Sequence, residues 1–107
     1  MSEPIQLNLL GPMQIVRSDT AVSLTSAKAR ALLAYLALTP QPQPRPAPAA
    51  LLWGDKPDSA ALANLRMALT QIRRALPNAL VVTRTTVALA DHVSAADVAA
   101  LTAVYTQ

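Results

Sequence analysis

The sequence has no cysteine and no phenylalanine, and in 107 residues it carries one histidine, one tryptophan and two glycines. Without cysteine, neither a disulfide framework nor a thiolate metal site can form, a usage compatible with a reducing compartment. A lone His92 and no carboxylates at ligand spacing leave nothing to hold a metal, and Gly11 and Gly54 alone cannot form a glycine-rich loop around a phosphate. No metal and no cofactor are therefore expected, and the chain is read as a non-enzyme. Charge or proline interrupts every apolar run well before the roughly 18 residues of a membrane span, and nothing resembles a signal peptide. No membrane partner is expected. Aromatic residues make up 3% of the chain, so the core must come from Leu, Val, Ile and Ala, and alanine-rich packing favours helices. Acids are scarce too. Nine basic residues face six acids, and the net charge of +3 permits an anionic partner without demanding one.

What is present is most informative in residues 58–76, DSAALANLRMALTQIRRAL. At 100° per residue, Leu62, Leu65, Leu69, Ile72 and Leu76 fall on one stripe, and Ala61, Ala68 and Ala75 widen its edge. This predicts a long amphipathic helix with one buried face. Its other face carries Ala60, Ala63, Met67, Thr70, Gln71 and Arg74, with Asn64 on one flank and Arg66 and Arg73 on the other. No acid follows Asp58. A solvated helix usually mixes Glu with Lys along its surface, whereas small residues, amides and a hydroxyl set among three arginines suit a DNA groove.

The length is that of one domain. Along the chain, Ile5, Leu7 and Leu9 alternate with polar residues, Met13 and Ile15 resume the pattern after Gly11-Pro12, and Val22 and Leu24 repeat it. These predict three short antiparallel strands. From Thr25 the period becomes helical, with Thr25 or Ser26 as the cap and Leu32, Leu33 and Leu36 facing inward; Pro40 ends that helix. Residues 40–48, PQPQPRPAP, place proline at every second position and predict a stiff, polyproline-like connection. A short apolar helix follows over 47–53 and ends at Gly54. Residues 80–83 and 86–89 then read as a hairpin, although its tip, Arg84-Thr85-Thr86, lacks the Gly or Asn that tight turns prefer. Finally, Ser94 can cap a segment whose Val98, Leu101 and Tyr105 share a face.

Strands, three helices and a hairpin are the plan of an α+β winged helix-turn-helix. Residues 5–11 (IQLNLLG), 28–38 (KARALLAYLAL), 51–53 (LLW), 64–76 (NLRMALTQIRRAL) and 86–89 (TVAL) resemble the N-terminal, OmpR-type DNA-binding domain of the Streptomyces antibiotic regulatory protein family. The resemblance implies an OmpR-type domain over 1–93. It also implies that 94–107 begins a linker or a helical bacterial transcriptional activation domain, whose opening helix residues 97–101 resemble. The remainder of that domain is missing, as in a trimmed DNA-binding module or a stand-alone homologue. The implied function is sequence-specific DNA binding within a cytoplasmic, nucleoid-associated bacterial transcription regulator. Helix 59–76 would enter the major groove and wing 80–90 would lie on the adjacent groove or backbone. Met67, Thr70, Gln71 and Arg74 would lie nearest the bases, with Asn64, Arg66 and Arg73 divided between bases and backbone. Trp53 matches an indole donor to phosphate, Arg45 a basic position at the second helix, and Arg84 the wing tip. The implied partners are double-stranded DNA with repeated half-sites, bound by a dimer, and RNA polymerase for the full-length protein.

Plainer readings stand beside these. Trp53 adjoins Leu51 and Leu52 and can anchor the core, donate to a phosphate, or do both. Lys28 and Arg30 read as surface residues, His92 beside Asp91 as an exposed pair, and Asp55 and Asp58 as a turn and an N-cap. The alternative to DNA readout is a winged helix used for protein contact through Ala60, Ala63 and Met67. The prolines of 40–48 replace the strand and polar helix start usual in that family.

Overall fold

In the first strand, β1 (Ile5–Asn8), Ile5 and Leu7 are buried while Gln6 is exposed on the opposite face. The computed structural model describes residues 3–9 and 12–95 of the chain. β2 (Gln14–Arg17) pairs antiparallel with β1 in a register that sets Leu7 opposite Ile15. Ser18 and Asp19 then both adopt left-handed backbone, with φ of 48° and 65°, as a two-residue hairpin turn requires. The chain consequently turns back at once, and β3 is Thr20–Ala21, opposite Arg17 and Val16. The strand expected on Val22 and Leu24 is displaced to this position. Val22 keeps one backbone bond, to the Ile15 carbonyl at 2.9 Å, and Leu24 packs into the core from an irregular segment.

Helix α1 (Ala27–Leu38) starts where Ser26 accepts a hydrogen bond from the Ala29 amide at 3.2 Å, and it buries Ala29, Leu32, Leu33 and Leu36. Thr39 closes it by donating both its amide and its hydroxyl to the Tyr35 carbonyl. The proline segment then departs from a uniform polyproline connection. Gln43–Pro44 forms β4, an edge strand, and the Tyr35 hydroxyl donates to the Gln43 side-chain oxygen at 3.0 Å. Helix α2 (Pro46–Trp53) begins one residue earlier than expected. Alternating prolines fit this path because an edge strand and a first helical turn both tolerate a missing amide donor.

Gly54 follows α2 with right-handed backbone, and a Cβ there would lie 2.5 Å from the Ala50 carbonyl oxygen. The neighbour is backbone and cannot swing aside. Gly54→Ala is expected to destabilise the fold by about 1–3 kcal/mol, read as a lowered thermal midpoint. An unchanged midpoint would mean that the end of α2 relaxes freely.

Helix α3 (Asp58–Ala75) buries Ala61, Leu65, Ala68, Leu69 and Ile72, and Leu76 just beyond its end is also buried. Pro57 occupies the cap position and Asp58 is the first helical residue, which corrects the reading of Asp58 as N-cap. Its carboxylate lies in the first turn, where the helix dipole favours it.

Strands β5 (Leu80–Val82) and β6 (Thr86–Leu89) form the expected hairpin, with β4 along the outer side of β6. Neither Arg84 nor Thr85 needs positive φ. Thr83 closes the turn instead: its hydroxyl accepts the amides of Thr85 and Thr86 at 3.3 and 2.9 Å and lies 2.7 Å from the Thr86 hydroxyl. Replacing Thr83 by Val is expected to cost about 1–2 kcal/mol, as bonded amides lose their partner; equal urea midpoints would contradict this.

Val93–Ser94 forms β7, which adds to β1 in parallel and places Val93 opposite Ile5. The first sheet is thus β3-β2-β1-β7. The helix expected on Val98, Leu101 and Tyr105 lies outside the described residues. The described chain is an α+β arrangement of three helices and two sheets, compatible with a winged helix. None of its helices is long and apolar enough to cross a membrane.

Candidate functional site

Three neighbours hold α3. Its most extensive packing is against α2, reached through the short turn at residues 54–57, and α1 covers it further. From the first sheet, Arg17 donates to the Ala75 carbonyl at 3.4 Å, a cation at the negative end of the helix dipole. The same guanidinium lies 3.8 Å from the Glu3 carboxylate.

With the Leu65 stripe fixed inward, the opposite face follows from the helical period. Ala63, Met67, Thr70 and Arg74 lie within about 40° of the direction opposite Leu65, while Arg66 and Arg73 share one flank and Asn64 and Gln71 the other. Met67, Thr70, Gln71, Arg66, Arg73 and Arg74 are all exposed, and Ala60, Ala63 and Asn64 are half-buried. The Thr70 hydroxyl donates to the Arg66 carbonyl at 3.0 Å.

The arginines divide into two groups. The nine basic residues are Lys28, Lys56 and seven arginines. Arg17 is held as described, Arg30 donates to the carbonyls of Leu24 and Thr25 at 2.7 and 2.9 Å, and Arg45 donates to the Thr83 carbonyl at 2.6 Å. The guanidinium groups of Arg66, Arg73, Arg74 and Arg84 have no hydrogen-bond or ion-pair partner among the described residues. Three of these free guanidinium groups are on α3. The fourth is at the exposed hairpin tip.

The remaining expected site residues are placed as follows. Trp53 is 8% exposed and belongs to the core cluster, with the Lys28 ammonium 5.8 Å from its ring centroid. That ammonium also donates to the Leu52 carbonyl, so Lys28 closes the end of α2 and is not a free surface charge. Arg45 ties the start of α2 to the hairpin through its side chain, and its amide adds a bond to the Thr85 carbonyl at 3.0 Å. Its Nε is buried without a partner. Reading the sequence missed the tethers made by Arg17 and Lys28 because they join residues 58 and 24 positions apart, and no local pattern announces such a contact.

Among the described residues no polar or charged residue is buried, and no group of His, Asp or Glu could hold a metal ion. What the fold and this face define is a small α+β module that presents one long helix, with its unpaired cations outward, beside a hairpin tipped by another. No protein-family model matches the chain, and no curated protein matches it.

Proposed function

We propose that this chain is a winged helix that binds DNA in a sequence-specific manner, as part of a transcription regulator of the kind its sequence resembles. In this reading α3 lies in the major groove and the β5–β6 hairpin rests on the neighbouring groove or backbone. The supporting observation is the segregation of the arginines: those that stabilise the fold are bonded, and the free ones share α3 and the hairpin tip. Phosphate contacts position such a module and base-edge contacts specify its site. Arg66 and Arg73, on one flank about 10 Å apart along the axis, suit a run of phosphates. Arg74 suits a guanine edge and Gln71 an adenine edge, each good bidentate pair contributing about 1–3 kcal/mol of discrimination. One such module buries only about 600–1,000 Å², so two copies on repeated half-sites are expected.

The test is selection from random duplexes at low salt, followed by affinity measurements at rising salt. If the four free arginines all meet phosphates, log K should fall with log salt at a slope of about −3.6, less steeply for each arginine that reads a base instead. Gln71→Ala should relax preference at one base position. The exposed Met67 favours a second reading, an apolar protein contact. That reading predicts no enriched duplex, little salt dependence, and loss of partner binding in Met67→Asp.

A further inference from the structure

On the DNA-binding reading above, we infer that Met67 and Thr70 recognise the 5-methyl group of thymine, so that the bound half-site carries thymine beneath the middle of α3. A threonine hydroxyl has one proton. In Thr70 that proton is donated to the Arg66 carbonyl of its own helix at 3.0 Å, and it cannot also be donated to a purine N7, a thymine O4 or a phosphate. What Thr70 offers as a new contact is its methyl group and the remaining lone-pair capacity of its oxygen. Met67, three residues earlier and about 4.5 Å along the axis, is 62% exposed and has no hydrogen to donate. Ala63 continues the same strip a turn below. The line of α3 opposite the buried stripe is therefore apolar through three residues before it reaches Arg74.

The floor of the major groove carries one alkyl group, the thymine C5-methyl, among base-edge hydrogen-bond donors and acceptors. An apolar strip pressed on guanine or cytosine edges would strip them of water without replacing a bond. The unpaired Arg66, Arg73 and Arg74 around the strip favour a polyanion over an apolar protein surface as its occupant. Asn64 and Gln71 complete a polar rim. Each buried methyl is expected to change affinity about fourfold, the equivalent of roughly 0.8 kcal/mol.

The experiment takes the duplex enriched by selection and replaces each thymine singly by deoxyuridine, which removes the methyl and leaves the Watson–Crick edge intact. Binding is measured by fluorescence anisotropy for the parent chain, Thr70→Val, Thr70→Ser and Met67→Ala, with circular dichroism confirming that each is folded. The expected result is a loss of about fourfold in the parent at one or two deoxyuridine positions. Thr70→Val, which keeps a methyl and drops the hydroxyl, should keep that loss. Thr70→Ser should abolish it at one position, and Met67→Ala should abolish it at that position or the adjacent one. Deoxyuridine that is harmless throughout would overturn the inference and leave DNA binding standing. A Thr70→Val chain that loses affinity while Thr70→Ser retains it would make the hydroxyl the reader and overturn the inference likewise. If no duplex is enriched, both the inference and the DNA-binding reading fall.

Discussion

Leu65→Ala is expected to lower folding stability by about 2–5 kcal/mol, the range for emptying a fully enclosed aliphatic site. Leu65 has no exposed surface and lies midway along the stripe that joins α3 to α1 and α2. The core cluster is built mainly from Leu, Ile, Val and Ala, with Trp53 as its one buried aromatic residue. Domains of this size are stable by about 5–15 kcal/mol in total. The variant should therefore melt at least about 8 °C lower, and a 5 kcal/mol loss could unfold much of it at room temperature. Met67→Ala, on the opposite face, is the matched control and should stay within about 0.5 kcal/mol of the parent. Urea denaturation followed by circular dichroism decides the matter: similar small losses for the two variants would mean that α3 is not docked through this stripe.

On the proposed DNA-binding reading, replacing Arg66 and Arg74 together by alanine is expected to weaken binding by at least about 1–3 kcal/mol, roughly fivefold or more, with the melting temperature little changed. The separation of effects is the point of the experiment. Neither guanidinium has a partner within the described residues, so the fold gives up no bond when they are removed. Arg17→Ala should behave in the opposite way. It removes the bond to the Ala75 carbonyl and the approach to Glu3, and should lower the melting temperature before it affects binding. Isothermal titration or anisotropy at constant salt, beside thermal melts of the same preparations, reads both quantities. Equal losses of stability for Arg17→Ala and for the double variant would contradict the division of the arginines into structural and free.

Much of the architecture was legible from local pattern. The helical spacing of Leu62, Leu65, Leu69, Ile72 and Leu76 identified the buried face of α3, and all but the half-buried Leu62 are buried. Thr25 or Ser26 ahead of a helical apolar period marked the start of α1, and period-two alternation marked β1. The misses share a cause. Val22 and Leu24 carry the alternation of a strand, but the left-handed pair Ser18-Asp19 had already turned the chain. Gln43–Pro44 and Val93–Ser94 are two-residue strands that exist through the partners supplied by β6 and β1. Two residues carry no period for sequence to reveal.

The candidate site divides in the same way. Which residues of α3 face outward, and that no acid follows Asp58 among them, follows from residue order alone, because the helical period and one apolar stripe determine the other face. Whether each basic residue is free to meet a ligand depended on tertiary structure. Arg45, expected at the second helix, and Arg84, expected at the hairpin tip, both read as cations for DNA, yet Arg45 is bonded to the Thr83 carbonyl and Arg84 has no partner among the described residues. Trp53 read equally as a core anchor or a surface donor, and it is buried in the core cluster with the Lys28 ammonium over its ring. The physical reason is that burial of an amphipathic face is encoded at a spacing of three or four residues. The partner of a long cationic side chain is instead selected by whichever carbonyl the fold brings within reach.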